Sequence, residues 1–181
     1  MKIPNLLLIA GTGNKSGKTT FACRVIEQFM NEGVIAVKIT PHFHETTPGL
    51  LLLSEKAGYS VYEETNSGTG KDTSRMLKAG AKRVLFAKVT DNDLLSAFKS
   101  IMEYIPEGAP IVCESPALRY YVEPGIFVIM RSDESNNNKN INQLLELPHV
   151  SIHLDIVLAM NEVPFKFERG GWTSNQTTDC S

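Results

Sequence analysis

Cysteine, tryptophan and net charge are all scarce in this 181-residue sequence. The three cysteines, Cys23, Cys113 and Cys180, are far apart and form no Cys-x-x-Cys pair, which argues against a disulfide framework and against a zinc site. A reducing compartment is therefore expected. The formal net charge is only -2 at pH 7, so the chain has no general electrostatic attraction for nucleic acid or for an anionic membrane.

Long apolar runs are also missing. The apolar stretch from Leu6 to Ala10 falls far short of the roughly 18 residues that a membrane span requires. Hydrophobic residues make up 42% of the chain and charged residues 21%, which are ordinary proportions for a globular protein. We therefore expect a soluble cytoplasmic protein, with a single domain over residues 1–170 and a flexible tail over residues 171–181.

The first forty residues predict a strand, a helix and a second strand. Leu6 to Ala10 is continuously apolar, as in a strand that is buried on both faces of a parallel sheet. From Lys18 the apolar residues follow helical spacing until Asn31 and Gly33 end the pattern. Residues 34–39 are again apolar enough for a buried strand, so the chain opens with a βαβ unit.

The later segments continue this alternation. Residues 40–70 contain several prolines and glycines and predict a hairpin or an irregular excursion. The elements predicted next are a short helix at 72–79, a strand at 82–89, a longer helix at 91–105 with Asp91 as its N-cap, and two strands at 110–113 and 125–130 that pair with each other. They are followed by a polar loop at 131–140, a short helix around 141–147, and two edge strands at 155–160 and 163–168 joined by a turn at Asn161-Glu162. This order predicts an α/β domain.

A glycine-rich loop joins the first strand to the first helix. The residues Gly13-Asn14-Lys15-Ser16-Gly17-Lys18-Thr19-Thr20 end in the Gly-Lys-Thr of a phosphate-binding loop, although Thr12 replaces the first glycine of the strict pattern G-x-x-x-x-G-K-[ST]. Backbone N–H groups of such a loop converge on phosphate oxygens at the start of a helix. We expect Lys18 to contact the β and γ phosphates and the Thr19 hydroxyl to ligate Mg²⁺. The sequence therefore predicts binding of a magnesium-bound purine nucleoside triphosphate.

Three further segments accompany the loop. Val37-Lys38 leads to a segment that ends at His44, Gly70-Lys71-Asp72-Thr73-Ser74-Arg75 precedes Lys78-Ala79-Gly80-Ala81, and Glu114-Ser115 ends a strand. With the phosphate loop, these segments resemble those of the GTP-binding protein B family of molybdopterin-guanine dinucleotide biosynthesis (MobB), over roughly residues 1–130. The resemblance implies a weak GTPase that forms a homodimer and assists a partner nucleotidyltransferase of molybdenum-cofactor synthesis. It also favours GTP over ATP and gives Glu114 the place of the Walker B carboxylate.

Two carboxylates are candidates for catalysis. Glu114 follows a buried strand, and open α/β sheets place their ligand chemistry at the carboxyl ends of such strands. We expect it to hold a magnesium-bound water or to orient the attacking water, in preference to capping the turn before Pro116. Asp72 is equally suited to an N-cap and to a magnesium role, and the resemblance favours the magnesium role.

Other polar residues carry weaker signals. Arg75 is expected at a solvated helix position in preference to a phosphate contact. His42 and His44 alternate along an extended segment with Glu45 nearby, and substrate contact is favoured over a metal site because a fourth ligand is not evident. Asp133 lies where GTPases carry the aspartate of Asn-Lys-x-Asp, and a turn-forming role is favoured over contact with guanine.

Taken together, these patterns predict an α/β P-loop nucleoside-triphosphatase fold with three layers, a mostly parallel sheet and a peripheral β-hairpin. The predicted function is slow, Mg²⁺-dependent hydrolysis of GTP or ATP by Lys18, Glu114 and Asp72, in support of molybdenum-cofactor synthesis. Two alternatives stay open: an ATP-dependent small-molecule kinase or ligase, and a nucleotide-binding adaptor without turnover. Neither nucleic acid nor a membrane is an expected partner.

Overall fold

The structure is a computed structural model that describes residues 1–13, 15–41, 48–133 and 141–175. Within these ranges the strands, in chain order, are β1 (Lys2–Gly11), β2 (Ile35–Thr40), β3 (Leu50–Lys56), β4 (Tyr59–Glu64), β5 (Arg83–Val89), β6 (Ile111–Glu114), β7 (Glu123–Arg131), β8 (Val150–His153), β9 (Phe165–Glu168) and β10 (Gly171–Ser174). The α-helices are α1 (Lys18–Gln28), α2 (Asp72–Lys78), α3 (Leu94–Met102), α4 (Asn142–Leu145) and α5 (Leu154–Ala159). Strands and helices alternate along the chain, which confirms the predicted α/β class.

The main sheet has eight strands in the order β3-β4-β5-β2-β6-β1-β7-β8. Six neighbouring strands, from β5 to β8 in this order, run parallel, and the β3–β4 hairpin adds two antiparallel strands at one edge. Strands β9 and β10 form a separate antiparallel pair. The predicted mostly parallel sheet is confirmed, and the hairpin lies within the segment 40–70, where one was expected.

Both faces of the central strands are covered, which explains why β1 is apolar along its length. Leu7 and Ile9 belong to an apolar cluster with the buried side chains of α1, whereas Leu6 and Leu8 belong to a second cluster with those of α3. Successive side chains of a strand point to opposite faces, so a strand between two helical layers needs apolar residues at every position. The core therefore consists of two layers, one on each face of the sheet.

The helices are short. The longest one among the described residues is α1, with 11 residues, and its apolar stripe buries Phe21, Val25 and Ile26 against the sheet. Gly33, at φ 73, ends the turn that follows this helix. None of the helices that the structure describes is long and apolar enough to cross a membrane.

Two predicted features of the middle of the chain are wrong. Strand β7 pairs with β1 and β8, and not with β6 as predicted, because both edges of β6 are already occupied by β1 and β2. The predicted helix at 91–105 is shorter than expected, since a 3-10 turn covers Asp91–Asp93 and α3 begins only at Leu94. For β7, strands that are distant in sequence decide the pairing.

The predicted hairpin at 155–168 is also wrong. Residues 154–159 form helix α5, because the ring of His153 accepts a hydrogen bond from the Asp155 N–H and Val157 provides the buried side chain. Strand β9 pairs instead with β10 through a turn in which Arg169 and Gly170 both have positive φ.

Strand β10 occupies residues 171–174, where the sequence predicted the start of a flexible tail. Trp172 anchors it. The indole N–H donates to the Asn5 carbonyl at 3.0 Å, the residue is 3% exposed, and its ring lies edge-on to Phe29. Burial of an indole with its N–H paired is a strong stabilising contact.

Candidate functional site

The carboxyl ends of three neighbouring parallel strands converge at one edge of the sheet. The register places Glu114 of β6 beside Lys38 of β2 on one side and beside Ile9 of β1 on the other. Since side chains alternate along a strand, Lys38 and Glu114 share a face with Ala36 and Val112, which belong to the apolar cluster of α1. A basic and an acidic side chain are thus directed to the side of the sheet where α1 begins.

Gly11, the last residue of β1, makes the turn into the loop possible. A Cβ atom at this position would lie 2.1 Å from the Ser16 hydroxyl oxygen and 2.9 Å from Cγ of Lys18. Thr12, the first residue after the strand, is still held against β7, because its N–H donates to the Met130 carbonyl at 3.1 Å. In the strict pattern, the first glycine allows a close approach of the chain to itself. Here that approach occurs one residue earlier, at Gly11, so Thr12 is compatible with the loop.

Lys15 and Gly17, in the described part of the loop, adopt left-handed backbone conformations. Lys15 has φ 61, and Gly17, the residue before α1, has φ 86. Gly17 is also crowded, since a Cβ there would lie 2.6 Å from a methyl carbon of Leu154. Among the described residues, no side chain caps the start of α1, and the first turn of the helix has no acidic residue. The partial positive charge of this helix end therefore faces the cleft without a neutralising neighbour on the helix.

The Lys18 ammonium folds back over the loop. It donates to the Gly13 carbonyl at 2.8 Å and to the Ser16 hydroxyl at 3.1 Å. The Ser16 hydroxyl is fully buried and donates to the same carbonyl at 3.0 Å. The cation is held at the mouth of the loop by oxygens that a stronger anionic partner can replace.

Thr19 connects the loop to strand β6. Its hydroxyl donates to one carboxylate oxygen of Glu114 at 2.8 Å, and the other oxygen of that carboxylate lies 3.3 Å from the Lys38 ammonium. The Glu114 side chain is 8% exposed. A buried carboxylate is costly unless it is paired and hydrogen-bonded, and these two contacts meet that requirement.

Lys38 lies between two carboxylates, because its ammonium donates to Asp72 as well as to Glu114. Burial alone would lower the pKa of Lys38, but the charges of Glu114 and Asp72 outweigh this effect and hold the pKa above its ordinary value. Burial would likewise raise the pKa of Asp72, yet the Lys38 ammonium, with smaller contributions from Arg75 and Thr19, holds it below its ordinary value. At neutral pH the lysine is therefore charged and Asp72 is ionised.

Arg75 stands one turn after Asp72 on helix α2. Its guanidinium donates to the Thr20 hydroxyl at 3.2 Å and lies 3.8 Å from the Asp72 carboxylate, and the side chain is 43% exposed. Arg75 thus lies at a partly solvated helix position, as predicted, and its guanidinium reaches the first turn of α1 at Thr20.

These side chains surround one cleft of about 380 Å³. The residues that line it are Lys15, Ser16, Gly17, Lys18, Thr19, Thr20, Lys38, Ile39, Thr40, Pro41, Asp72, Arg75, Glu114, Pro116 and Leu154. Four of these side chains are basic and two are acidic, so the cleft is locally positive in a chain of net charge -2. Because basic side chains outnumber acidic ones, the cleft attracts anionic ligands.

The donor set of the cleft also fits a hard divalent cation. Thr19 and Glu114 offer oxygen ligands only 2.8 Å apart, and Asp72 adds a carboxylate to the same cleft. Mg²⁺ prefers such oxygens and usually completes its shell with water and phosphate. The residues predicted as metal ligands are therefore close enough to act together.

The remaining predicted residues are not part of the described cleft. Asn14, His42, His44 and Glu45 lie outside the described residues. Asp133 does not line the cleft; its carboxylate is 94% exposed and lies 3.3 Å from the ring of His153. A ring nitrogen and two exposed carboxylates, those of Asp133 and Asp155, come together there, an arrangement that is common without a bound metal.

Lys38 is the important residue that the sequence analysis did not select as a site residue. The sequence does contain a signal for it, because Lys38 interrupts an otherwise apolar strand. Such a lysine is rarely buried without a charged partner. What the sequence could not supply was the register that sets it beside Glu114.

Comparisons of this chain with protein-family models, with curated proteins and with solved structures found no match. Its function is therefore inferred from the residues of the cleft.

Proposed function

We propose that this cleft binds the triphosphate of GTP or ATP together with Mg²⁺, and that the chain is a slow nucleoside triphosphatase with the three-layer P-loop fold. The observation that carries the proposal is the hydrogen bond between Thr19, in the first turn of α1, and Glu114, at the end of β6. This bond joins Thr19, the predicted magnesium ligand, to Glu114, which is predicted to hold a magnesium-bound water. The Lys18 ammonium, next in sequence, lies over the same loop.

The loop provides a cradle for phosphate oxygens. Alternation of left-handed and right-handed residues turns successive backbone N–H groups to one side, and Lys15 and Gly17 have the positive φ that such a nest requires. The start of α1 adds partial positive charge. Lys18 exchanges its contact with the Gly13 carbonyl for β and γ phosphate oxygens, which are stronger acceptors because they are charged.

Thr19 and Glu114 are the residues that would hold magnesium. When bound, Mg²⁺ supplies charge neutralisation across the β and γ phosphates. Lys38 holds the pKa of Asp72 below its ordinary value, and it prevents the carboxylates of Asp72 and Glu114 from facing each other without a cation. Its ammonium also lies in the cleft, where it can stabilise charge on the phosphoryl group.

Hydrolysis needs a water molecule placed in line with the γ phosphate. Asp72, whose pKa is held low, is a carboxylate at neutral pH, and either it or Glu114 accepts a hydrogen bond from that water. A carboxylate of low pKa is a weak general base, so these residues position the water more than they deprotonate it. Slow turnover follows, and a partner protein or a second copy of the chain would be needed to accelerate it.

We further propose, from the sequence resemblance, that GTP is preferred over ATP, that the chain forms a homodimer, and that it assists an enzyme of molybdenum-cofactor synthesis. Asp133 is a candidate for guanine contact because it follows β7, whose end adjoins the loop. Calorimetric titration with GTP and ATP tests this preference directly.

The central test is isothermal titration of the purified protein with slowly hydrolysed GTP and ATP analogues, with and without Mg²⁺. Wild-type protein is expected to bind, and Lys18→Ala is expected to lose about 1.5 to 3 kcal/mol, or roughly 10- to 150-fold in affinity. Lys2→Ala is the matched control, because Lys2 is an exposed lysine at the opposite end of β1. Equal affinity of the two variants, or an absence of heat with every triphosphate, contradicts the proposal.

A further inference from the structure

A second pocket, of about 330 Å³, opens next to the cleft. Its residues are Ile39, Thr40, Pro41, Val89, Leu94, Ser115, Pro116, Ala117, Tyr120, Tyr121, Ile141 and Leu144. Four of them, Ile39, Thr40, Pro41 and Pro116, also line the phosphate cleft. The two spaces therefore meet across the carboxyl ends of β2 and β6.

The two pockets lie on different faces of the sheet. Ile39, Val89 and Leu94 belong to the apolar cluster of α3, whereas Lys38 and Glu114 point to the side of α1. A molecule in the second pocket therefore reaches the cleft over the edge of the sheet, past Thr40 and Pro41. This arrangement places it beside the phosphates without competing with them for the loop.

The lining of the second pocket differs from that of the cleft. None of the side chains that the structure describes around it is charged, whereas six charged side chains line the cleft. Its body is formed by aliphatic residues, and Tyr120 and Tyr121 stand at its rim, 51% and 43% exposed. The hydroxyl groups of Thr40, Ser115 and the two tyrosines are its side-chain hydrogen-bonding groups. An uncharged molecule with an apolar body and a few hydroxyl groups suits such a lining, because a bare charge would lose its hydration there.

We propose that this pocket binds a second substrate, a small uncharged alcohol with an apolar body, whose hydroxyl faces the γ phosphate in the cleft. The proposal rests on the nucleotide site proposed above and makes the chain a small-molecule kinase in addition to a slow triphosphatase. The hydroxyl oxygen forms a bond to the γ phosphorus while the bond from that phosphorus to the β–γ bridging oxygen breaks. The electron pair leaves with the nucleoside diphosphate, the hydroxyl proton passes to water, and the product is a phosphate monoester.

The first experiment measures binding to the full chain with N-phenyl-1-naphthylamine, an uncharged ring compound that fluoresces in apolar surroundings. Wild-type protein is expected to enhance its fluorescence. Ala117→Glu places a charge in the pocket from an exposed position and is expected to weaken probe binding about tenfold or more. Tyr121→Ala serves as a second pocket variant in case the first one does not fold, and circular dichroism checks both.

Leu51→Glu and Leu158→Glu are the matched controls, because both leucines are exposed and lie outside the lining of the second pocket. Probe binding is expected to be unchanged in these variants. Loss of binding in either control, or equal binding by Ala117→Glu and the wild type, overturns the proposal.

The second experiment tests the chemical class by displacement of the probe with benzyl alcohol, benzoate and benzylamine, which share one ring. Benzyl alcohol is expected to displace the probe at the lowest concentration, and displacement by benzoate or benzylamine at equal concentration overturns the preference for an uncharged ligand. The nucleotide titration of the same protein separates the two proposals. Nucleotide binding without probe binding refutes the second pocket alone, whereas probe binding without nucleotide binding refutes the phosphoryl transfer.

Discussion

Replacing Lys38 by methionine removes the one charge that both carboxylates of the cleft share, while it keeps most of the apolar stem. In the wild-type protein the ammonium donates to Asp72 and lies 3.3 Å from Glu114. The Lys38 side chain is 18% exposed and that of Glu114 is 8% exposed. The variant therefore leaves the buried Glu114 carboxylate with only the Thr19 hydroxyl as its side-chain partner among the described contacts.

The expected cost follows from these exposures. Removing one partner of a buried ion pair typically destabilises a protein by about 3 to 5 kcal/mol, because the other charge stays buried. The contribution of Asp72 is smaller, at most about 1 kcal/mol, because its side chain is 44% exposed and water screens it. The cleft also admits solvent, so we expect a loss of about 3 kcal/mol in the free energy of unfolding, at the lower end of the range for buried pairs.

Urea denaturation at pH 7, followed by circular dichroism, measures this loss. Glu114→Gln removes the carboxylate that Lys38→Met leaves without its partner. The losses of the two single variants should therefore not add up, and the double variant is expected to be about 2 kcal/mol more stable than their sum. Lys2→Met is the control, since Lys2 and Glu123 form an exposed pair at 3.6 Å that is worth at most about 1 kcal/mol. A loss below about 1 kcal/mol for Lys38→Met, or strict additivity in the double variant, would refute the reasoning.

Three further predictions concern the loop, the acid range and the thiols. Gly17→Ala is expected to lower the melting temperature more than Gly108→Ala, because both glycines have positive φ but only Gly17 has a side chain, that of Leu154, in the way of a Cβ; equal shifts contradict this. The low pKa of Asp72 contributes stability that is fully present above the ordinary aspartate pKa of 3.8 and is lost as the pH falls below it. In urea denaturation, the difference in free energy of unfolding between wild type and Asp72→Asn is therefore expected to shrink below pH 3.8. A difference that stays constant contradicts this. Burial raises the pKa of Cys23 from 9.0 to about 11, so at pH 8 its alkylation, followed by mass spectrometry, is expected to be about a hundredfold slower than that of an unstructured cysteine peptide; equal rates contradict it.

Much of the central fold could be predicted because its signals are local. The apolar residues of β1 and the helical spacing after Lys18 lie within single elements, and both elements formed where they were expected. Helix α2 and strand β5 were also predicted within about one residue of their observed bounds. Burial on both faces of a strand, or on one stripe of a helix, leaves a periodic pattern that needs no knowledge of distant neighbours.

The features that were wrong depend on contacts between distant parts of the chain. The pairing of β7 with β1 could not be derived from the composition of β7, because any apolar strand satisfies either neighbour. Residues 154–159 are too short and too mixed for a clear period, and the ring of His153 decides in favour of helix α5. The burial of Trp172 against Asn5 joins two ends of the described chain, which no local pattern records.

The site divides in the same way. Thr19 and Glu114 could be selected because one follows the glycine turn and the other ends a buried strand, and the structure brings them to 2.8 Å. The bridge of Lys38 to Asp72 and Glu114 needs the order of β2, β6 and β1 in the sheet, which topology fixes and composition does not. Both glycines beside Thr12, Gly11 and Gly13, could have allowed the turn, and the approach of Ser16 shows that Gly11 is a position where a side chain would not fit.

The central claim is that backbone N–H groups at the start of α1 bind a triphosphate. Titration of the ¹⁵N-labelled protein with a slowly hydrolysed GTP analogue and Mg²⁺, followed by ¹H–¹⁵N correlation spectra, tests it most directly. The largest amide shifts are predicted for Ser16, Gly17, Lys18 and Thr19, and they should saturate with added nucleotide. Spectra that do not change, or shifts that are largest away from this loop, would contradict the account.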